Sequence, residues 1–295
     1  MARGRYELSG KTVLVTGAAK GIGAGTAREL DRRGARLSLV DLDGAELERT
    51  AADLASAEPF RADVTDFEAL EQVAAETAER FGGIDIVMAN AGIAAPGLIE
   101  LQDRAEFERV VEVNLLGVYR TVKATLPYVL ERRGYVLVVA SLAAPLHAPA
   151  MGQYSMAKAG VEALGNTLRL ELAGTGTSVG VAYFGYIDTP MVAGSLAIDP
   201  GLRELRDSGG PLASRTAPIE GAAAAVVSGI ERRASIVAYP RWTRPLLSAR
   251  GIVQPLLNRH ARGARVRAIL DGMRARGAGQ DSVPRHVDER SEVRS

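Results

Sequence analysis

The chain has 295 residues, of which 47% are hydrophobic, enough to bury a substantial core. It contains no cysteine, which excludes disulfides and thiolate metal sites, and its three histidines are far apart in the sequence and predict no metal centre. No apolar run approaches the roughly 18 residues of a membrane-spanning helix. The first residues lack the apolar core of a signal peptide, so we expect a soluble, cytoplasmic protein.

The net charge of +1 is distributed unevenly along the chain. Residues 240–295 carry 12 arginines and 5 acidic residues, a charge of +7, whereas the remaining residues carry a charge of −6. This asymmetry indicates that the C-terminal segment differs in kind from the rest of the chain.

Short apolar runs rich in β-branched residues alternate with longer segments of helical periodicity. The runs predict strands at residues 11–16, 36–40, 60–62, 84–89, 135–140, 178–184 and 235–238. The segments between them predict helices at residues 22–33, 45–54, 67–81, 103–131, 152–172 and 219–232. This alternation predicts βαβ units, and the nearly continuous apolar strands indicate a parallel sheet covered on both faces. We therefore predict an α/β fold, a Rossmann-type doubly wound parallel sheet of about seven strands, with ligands beyond the carboxyl ends of the strands.

The first predicted strand is followed directly by a glycine-rich turn that opens a helix. In the segment TGAAKGIG, the residues Gly17, Gly21 and Gly23 permit a tight turn and a close approach of the backbone to a pyrophosphate. The helix N-terminus behind them supplies free N–H groups and a partial positive charge. Because the pattern stands first in a βαβ series, it predicts a dinucleotide phosphate site that includes Lys20 and Ile22.

An acidic residue, Asp41, ends the second predicted strand, 18 residues after Gly23. There it can accept hydrogen bonds from both ribose hydroxyls of an adenosine, and it would repel a 2′-phosphate. Leu42 offers such a phosphate no positive partner, whereas Lys20 is an argument for NADP. We give Asp41 more weight and predict NAD as the cofactor, with NADP as the alternative; Asp43 is the better candidate for capping the next helix.

From about residue 8 to residue 242, the sequence resembles the short-chain dehydrogenase/reductase family, of its classical type. The resemblance rests on the glycine pattern, on Asn114 and Ser141, and on three short motifs: Asp63-Val64, Asn90-Ala91-Gly92 and Tyr154-Ser155-Met156-Ala157-Lys158. The 27 residues from Asn114 to Ser141 and the 13 from Ser141 to Tyr154 agree with the family. The resemblance implies an oxidoreductase that transfers a hydride between a nicotinamide ring and a CH–OH group.

Tyr154 and Lys158 are four residues apart on a predicted helix and therefore share one face. A tyrosine with an unperturbed pKa of ~10 is a poor base near neutrality, but a nearby ammonium favours the phenolate. The chain has only 4 lysines against 32 arginines, so a lysine at this position indicates that a compact charge is needed. The pair predicts a general acid/base, Tyr154, that Lys158 tunes.

The resemblance also implies a role for each matching residue. Tyr154 would be the general acid/base, and Lys158 would in addition hold the nicotinamide ribose. Ser141 would hydrogen-bond the reacting oxygen, and Asn114 would hold a water of the proton relay. The remaining cofactor contacts would be Asp63 and Val64 at the adenine, Asn90, Ala91 and Gly92 beside the central sheet, and Gly185, Ile187 and Thr189 near the nicotinamide.

The sequence departs from the family after the sixth strand. The family commonly has Pro-Gly there, and this chain has Phe184-Gly185, which puts the rigidity of the loop in question. Residues 188–217, punctuated by glycine, proline and serine, predict a mobile lid.

The side chains expected around the substrate are mostly apolar, and no cluster of arginine or lysine awaits a carboxylate or phosphate. They predict a small, hydrophobic secondary alcohol or ketone as substrate. His147 either touches a polar group of the substrate or is an ordinary loop residue. The predicted lining is Leu142, Ala143, Pro145, Leu146, His147, Tyr186, Met191, Val192 and Leu196.

These observations divide the chain into a dinucleotide-binding and catalytic domain at 1–240, a basic and apolar extension at 241–276, and a disordered tail at 277–295. Pro245 and Pro255 predict breaks in any helix of the extension. The extension either packs on its own protein or a partner subunit, lies on an anionic membrane surface, or is a solvated basic tail. Nucleic-acid binding is not expected. The candidate apolar stripe is Val253, Leu256, Leu257, Val266, Ile269 and Leu270.

Three functions are compatible with the sequence. The first is an active dehydrogenase, which the joint presence of Asn114, Ser141, Tyr154 and Lys158 favours. The second is a catalytically silent NAD-binding scaffold or sensor, and the third is a membrane-associated lipid or retinoid-type reductase. The apolar excess of residues 103–131 and 152–172 predicts a homodimer or homotetramer.

Overall fold

The computed structural model describes residues 5–280, except for the side chains of 212–213 and 278–280. At its centre is a seven-stranded parallel sheet with the strand order β3-β2-β1-β4-β5-β6-β7. The order reverses between β1 and β4, so the sheet is doubly wound, as predicted. The strands are β1 (Thr12–Thr16), β2 (Arg36–Asp41), β3 (Ala57–Arg61), β4 (Ile86–Ala89), β5 (Tyr135–Val139), β6 (Ser178–Phe184) and β7 (Ile236–Tyr239).

Helices cover both faces of this sheet, and none among the described residues is long and apolar enough to cross a bilayer. The helices are α1 (Gly21–Asp31), α2 (Gly44–Ala52), α3 (Phe67–Phe81), α4 (Arg104–Val111), α5 (Gly117–Glu131), α6 (Gly152–Glu171), α7 (Pro190–Ile198), α8 (Pro200–Ser208), α9 (Pro211–Ser214), α10 (Ile219–Glu231), α11 (Thr243–Ser248), α12 (Arg250–Ala261) and α13 (Ala264–Gln280).

The two faces of the sheet are buried in separate apolar layers. Val13 and Val15 of β1 belong to the layer that α1 and α10 cover, whereas Leu14 between them belongs to the layer under α3, α5 and α6. Because both faces are buried, successive residues of the central strands β4 and β5 are all apolar, as the sequence indicated. The parallel strands therefore end together at one edge, where the glycine-rich turn and the residues after β4, β5 and β6 meet.

Two elements of the predicted βαβ series differ from the sequence prediction. Residues 103–131 form α4 and α5 joined by a π-helical turn, Glu112–Leu116, instead of one helix. Pro127 lies inside α5 without ending it, because packing on the sheet compensates for one missing hydrogen bond. Strand β3 begins earlier than predicted, because this half-buried edge strand tolerates Pro59 and lacks a continuous apolar run.

The C-terminal extension forms α11, α12 and α13. As predicted, the extension is not a single helix, but the predicted break at Pro255 is wrong, because Pro255 lies inside α12. Pro245 lies in the first turn of α11, where its missing N–H costs nothing. Val266 and Ile269 are buried against the protein itself, so α13 is packed on its own chain. Helix α13 continues to Gln280, which corrects the predicted start of the tail at 277; residues 281–295 lie outside the described residues.

Candidate active site

A cavity of about 730 Å³ lies at the carboxyl ends of the strands. Ser141 and nearly all predicted cofactor residues line it; Gly23 and Asn114 lie just behind its wall. The predicted residues that line the cavity are Gly17, Lys20, Gly21, Ile22, Asp41, Asp63, Val64, Asn90, Ala91, Gly92, Ser141, Tyr154, Lys158, Gly185, Ile187 and Thr189.

The glycine-rich turn has the backbone that a pyrophosphate site needs. Gly17 has a φ of +67°, and a Cβ on it would lie 2.8 Å from the Cα of Ala91. A Cβ on Gly23 would lie 2.0 Å from the carbonyl oxygen of Gly17. No side chain caps the N-terminus of α1, so its N–H groups are available to an anion. This cradle therefore fits the phosphates of a dinucleotide.

Asp41 stands where β2 ends, on the wall of the same cavity. Its carboxylate accepts the N–H of Ala19 at 3.0 Å and that of Asp43 at 3.1 Å. Asp43 caps α2 by accepting the N–H of Glu46, as predicted. Lys20 is mostly exposed and lies 3.5 Å from the Asp43 carboxylate, so its charge is directed to that side chain.

Asp63 forms the far end of the cavity together with Arg109, a residue that the sequence gave no signal for. Arg109 donates to the Asp63 carboxylate at 3.0 Å, and Thr65 donates to it through both its N–H and its hydroxyl. Burial acts to raise the pKa of Asp63, but these hydrogen bonds outweigh it and hold the pKa below its usual value. The pair is 46 residues apart in the chain, so only the fold brings it together.

Asn90 ties the start of the cofactor cradle to the centre of the sheet. Its side-chain amide donates to the carbonyl oxygens of Thr16 at 2.9 Å and Gly17 at 3.1 Å, and its backbone N–H donates to the Thr16 hydroxyl. These bonds attach the chain after β4 to the end of β1, where the glycine-rich turn begins.

Tyr154 lies in the first turn of α6, on the same cavity wall as Ser141, and the Ser141 side chain is its polar neighbour there. The Ser141 hydroxyl accepts the N–H of Ala143 at 3.1 Å and donates to the carbonyl of Phe184 at 3.4 Å. Burial raises the pKa of Tyr154, and the neighbouring Ser141 hydroxyl only partly offsets this effect. The lowered pKa expected from the sequence is therefore not found here, and the phenol is held in its protonated form.

The burial of Lys158 explains why its positive charge does not lower the pKa of Tyr154. The side chain is buried, its Nζ donates to the carbonyl of Val139 at 2.8 Å, and it lies 5.8 Å from the centre of the Tyr154 ring. Burial lowers the pKa of Lys158 to about 8, because it disfavours the ammonium. The two residues share one face of α6, as the spacing predicted, but burial acts on both.

Asn114 is fully buried in the π-helical turn, directly beside this pair. Its side chain accepts the N–H of Ile93 at 2.7 Å and donates to the carbonyl of Ile93 at 2.8 Å. A Cβ on Gly92 would lie 3.0 Å from Asn114 Oδ1 and 3.7 Å from Lys158 Nζ, so Gly92 leaves the space between them. π-Helical turns are frequent at functional sites, and periodicity in the sequence does not reveal them.

The loop after β6 is held in place without the family's proline. Gly185 donates to Tyr239 at 3.0 Å and lies against Trp242, since a Cβ on Gly185 would meet that ring at 3.3 Å. Ile187 bridges to Ala217, and the hydroxyl of Thr189 caps α7. Contacts with β7 and with residues beyond it therefore supply the order that the sequence left in question.

The predicted substrate lining is only partly correct. Of the nine residues, Met191 and Val192 line the cavity, and Leu142, Ala143, Pro145, Leu146, His147, Tyr186 and Leu196 do not. The chain after Ser141 turns back on itself, with a hydrogen bond from Leu146 to Leu142, so this segment packs away from the cavity. Gln254 of α12 accepts the N–H of His147, which makes His147 an anchored loop residue. Further residues that line the cavity, which the sequence did not indicate, include Ile93, Ala94, Gly194, Ser195 and Ile198.

Comparison with known proteins agrees with this geometry. The model of the short chain dehydrogenase family matches residues 11–197. Oxidoreductase UcpA of Salmonella typhimurium is 35% identical over 193 residues, which cover 63% of this chain and 72% of that protein. The 11-beta-hydroxysteroid dehydrogenase A of Sesamum indicum is 30% identical over 252 residues, which cover 81% of this chain and 70% of that protein.

Two solved structures are similar over most of the chain. Levodione reductase superposes with a TM-score of 0.71 at 30% identity, covering 78% of this chain and 96% of its own. The 3-ketoacyl-(acyl-carrier-protein) reductase from Brucella melitensis, complexed with NADH, has a TM-score of 0.71 at 29% identity and covers 79% and 97%. The chain therefore belongs to the short-chain dehydrogenase family. Its class is that of an oxidoreductase that uses a nicotinamide cofactor on CH–OH groups.

Proposed function

We propose that this protein is an NAD(H)-dependent oxidoreductase that interconverts a hydrophobic secondary alcohol and its ketone, with Tyr154 as the general acid/base. The observation that carries the proposal is that Tyr154 and Ser141 lie on one wall of a cavity that also contains the glycine cradle, with the buried Lys158 and Asn114 beside them. A catalytically silent scaffold would not need these four side chains together.

The bound nicotinamide would supply or accept the hydride. When a ketone is reduced, negative charge develops on its oxygen, and the Tyr154 hydroxyl donates a proton to that oxygen. The raised pKa of Tyr154 keeps this proton in place until the charge appears. Ser141 donates a hydrogen bond to the same oxygen, which stabilises the charge without transferring a proton.

Lys158 and Asn114 act behind Tyr154. The ammonium of Lys158 would hold the nicotinamide ribose and, in the alcohol-oxidising direction, would favour the phenolate that accepts the proton. Asn114 fixes Ile93 on the cavity wall and, by resemblance, would hold the water through which the proton leaves.

The proposal of an apolar substrate rests on the positions of the charged residues on the cavity wall. Besides Lys158, every charged residue that lines the cavity is at the adenosine end: Lys20, Asp41, Asp43, Asp63 and Arg109. The other end is lined by Ile93 and Ala94 and by residues of α7, such as Met191, Val192 and Ile198. Neutral, hydrophobic substrates fit such a wall. A panel of apolar ketones and alcohols with NADH and NAD would test this, and turnover only of charged substrates would refute it.

The proposed preference for NAD is tested at Asp41. We expect NADH to bind much more tightly than NADPH, because the Asp41 carboxylate would repel a 2′-phosphate. The Asp41→Ala variant should narrow the difference between the two dissociation constants, measured by fluorescence titration. The Asp43→Asn variant is the matched control, since it removes a neighbouring charge and retains the helix cap. Tighter binding of NADPH by the unaltered protein would contradict the proposal.

We also propose a homodimer or homotetramer. Several apolar side chains are exposed on the faces of α5 and α6: Tyr119 is 47% exposed, Met156 48% and Leu170 77%. Multi-angle light scattering at micromolar concentration should give a mass of two or four chains, and Tyr119→Asp should lower it. A single-chain mass for the unaltered protein would contradict the assembly.

A membrane-associated reductase is the remaining alternative. The exposed Ile252 and Leu256, one turn apart on α12, are what the extension offers to a lipid surface. Sedimentation with anionic vesicles separates this function from that of an enzyme that acts away from membranes.

A further inference from the structure

Helices α7 and α8 form a lid at the cavity, and the packing of α7 does not account for the position of this lid. Met191, Val192 and Ile198 of α7 line the cavity, but no residue of α7 is buried. A helix without buried residues gains little from packing and depends on its neighbours for its position. Asp199 stands alone between α7 and α8, at the point where a hinge of the lid would lie.

The neighbour that covers α8 is α13, the last helix of the basic extension. Ile269 and Met273 of α13 are buried in a cluster with Leu202 of α8. The approach is close: a Cβ on Gly201, in the first turn of α8, would lie 2.5 Å from Met273. Leu196 of α7 packs against the same cluster, so the outer side of the lid rests on α13.

A paired ionic contact lies at the hinge position. Arg276 of α13 donates to both oxygens of the Asp199 carboxylate, at 2.7 and 3.1 Å. Asp199 also caps α8 by accepting the N–H of Gly201 at 2.6 Å. The Arg276 guanidinium holds the pKa of Asp199 below its usual value, so the carboxylate is charged at neutral pH. One side chain of the extension therefore fixes the residue that joins the two lid helices.

The base of the extension is attached to the rigid part of the site. Arg250, at the start of α12, forms an ion pair with Glu162 at 2.7 Å, and Glu162 lies one turn beyond Lys158 on α6. Gln254 accepts the N–H of His147 at 2.8 Å, in the loop after β5. The extension thus spans from the helix that carries Tyr154 to the hinge of the lid.

We propose that α13 is the outer seat of the lid and that Arg276 is a positioning residue, which acts on substrate binding through Asp199. The role in turnover rests on the proposed function, because the lid closes over the substrate only if that cavity binds one. Arg276 touches neither substrate nor cofactor in this account. It sets how much of the time α7 covers the cavity.

Four variants test this seat: Arg276→Gln, Asp199→Asn, the double variant, and Arg267→Gln as the control, an exposed arginine on the same helix. Asn retains the helix cap and removes only the charge. We expect each single variant to speed hydrogen–deuterium exchange of residues 190–208 in the free protein. The double variant should exceed neither single variant, because both remove one interaction.

The kinetic constants should change in the same variants in which exchange becomes faster. The KM for substrate should rise about two- to fivefold in each single variant, the size expected of one partly exposed ion pair, and kcat should not fall. Arg276→Lys should restore part of the effect, because a lysine keeps the charge without the paired geometry. Met273→Ala, which removes packing at Gly201, should act in the same direction.

The proposal that α13 is the seat of the lid would be overturned if hydrogen–deuterium exchange in the lid were unchanged in the single variants. Effects that add in the double variant would overturn it as well. A fall in kcat with unchanged KM would overturn the positioning role. The exchange measurement needs no substrate, so it tests the contact between Arg276 and Asp199 even if no substrate is turned over. A failure to find any substrate would count against the proposed function alone.

Discussion

The Tyr154→Phe variant is expected to lose about 10²–10⁴-fold in turnover while its affinity for NADH stays nearly unchanged. The substitution keeps the ring in the first turn of α6 and removes only the hydroxyl on the cavity wall. Without that hydroxyl, no proton reaches the substrate oxygen as charge develops, so the loss falls on kcat. Steady-state kinetics beside a cofactor titration would separate the two quantities.

Tyr183→Phe is the matched control for this loss. Tyr183 is a buried tyrosine of β6 whose hydroxyl contacts Glu162 at 3.0 Å, and it does not line the cavity. Its loss removes a buried hydroxyl of the same kind and should leave kcat within a few-fold of the unaltered protein. Near-normal turnover of Tyr154→Phe at neutral pH would mean that the proposed chemical site is wrong, even though the fold is right.

The Lys158→Met variant is expected to be nearly inactive and, without cofactor, more stable than the unaltered protein. Burial lowers the pKa of Lys158 from 10.5 to about 8, so at neutral pH the folded protein retains a buried ammonium at a cost. Removing that ionisation should raise the free energy of unfolding at neutral pH by about 3 kcal/mol, less the cost of leaving the Val139 carbonyl without the Lys158 donor. NADH affinity should fall, because the ammonium would no longer meet the ribose.

The lowered pKa of Lys158 also determines how the free energy of unfolding should change with pH. The lysine of the unfolded chain keeps its proton up to its ordinary pKa, whereas the folded protein releases it above about pH 8. The unaltered protein should therefore gain stability as the pH rises from about 8 towards 10.5, and Lys158→Met should lack this gain. Lys123→Met, at an exposed position of α5, is the control and should keep the gain. Denaturant unfolding at several pH values tests it; a less stable Lys158→Met protein with the same pH slope would contradict it.

The parts of the site that could be predicted are those whose chemistry demands particular residue types at fixed spacing. Gly17 and Gly23 lie where a Cβ would collide with backbone, and Asp41 is the last residue of a strand. Tyr154 and Lys158 are one turn apart on a helix. Each of these requirements involves only a few neighbouring residues, so the sequence alone reveals it.

The parts that were missed depend on contacts between distant segments. The pairing of Arg276 with Asp199 spans 77 residues, and nothing local distinguishes either residue from other surface charges. The segment after Ser141 has the apolar composition of a pocket wall, but its turn carries Leu146 into the core. The raised pKa of Tyr154 also depends on burial, which outweighs the ammonium that the sequence placed nearby.

The most direct test of the account is a single-turnover measurement in which the NADH complex is mixed rapidly with a ketone that the panel identifies. The loss of NADH absorbance then reports hydride transfer itself, separately from product release. The account predicts that Tyr154→Phe, saturated with NADH at nearly the concentration that saturates the unaltered protein, transfers the hydride at least about 10²-fold more slowly. A rate in Tyr154→Phe close to that of the unaltered protein, with NADH equally well bound, would contradict the assignment of Tyr154 as the proton donor.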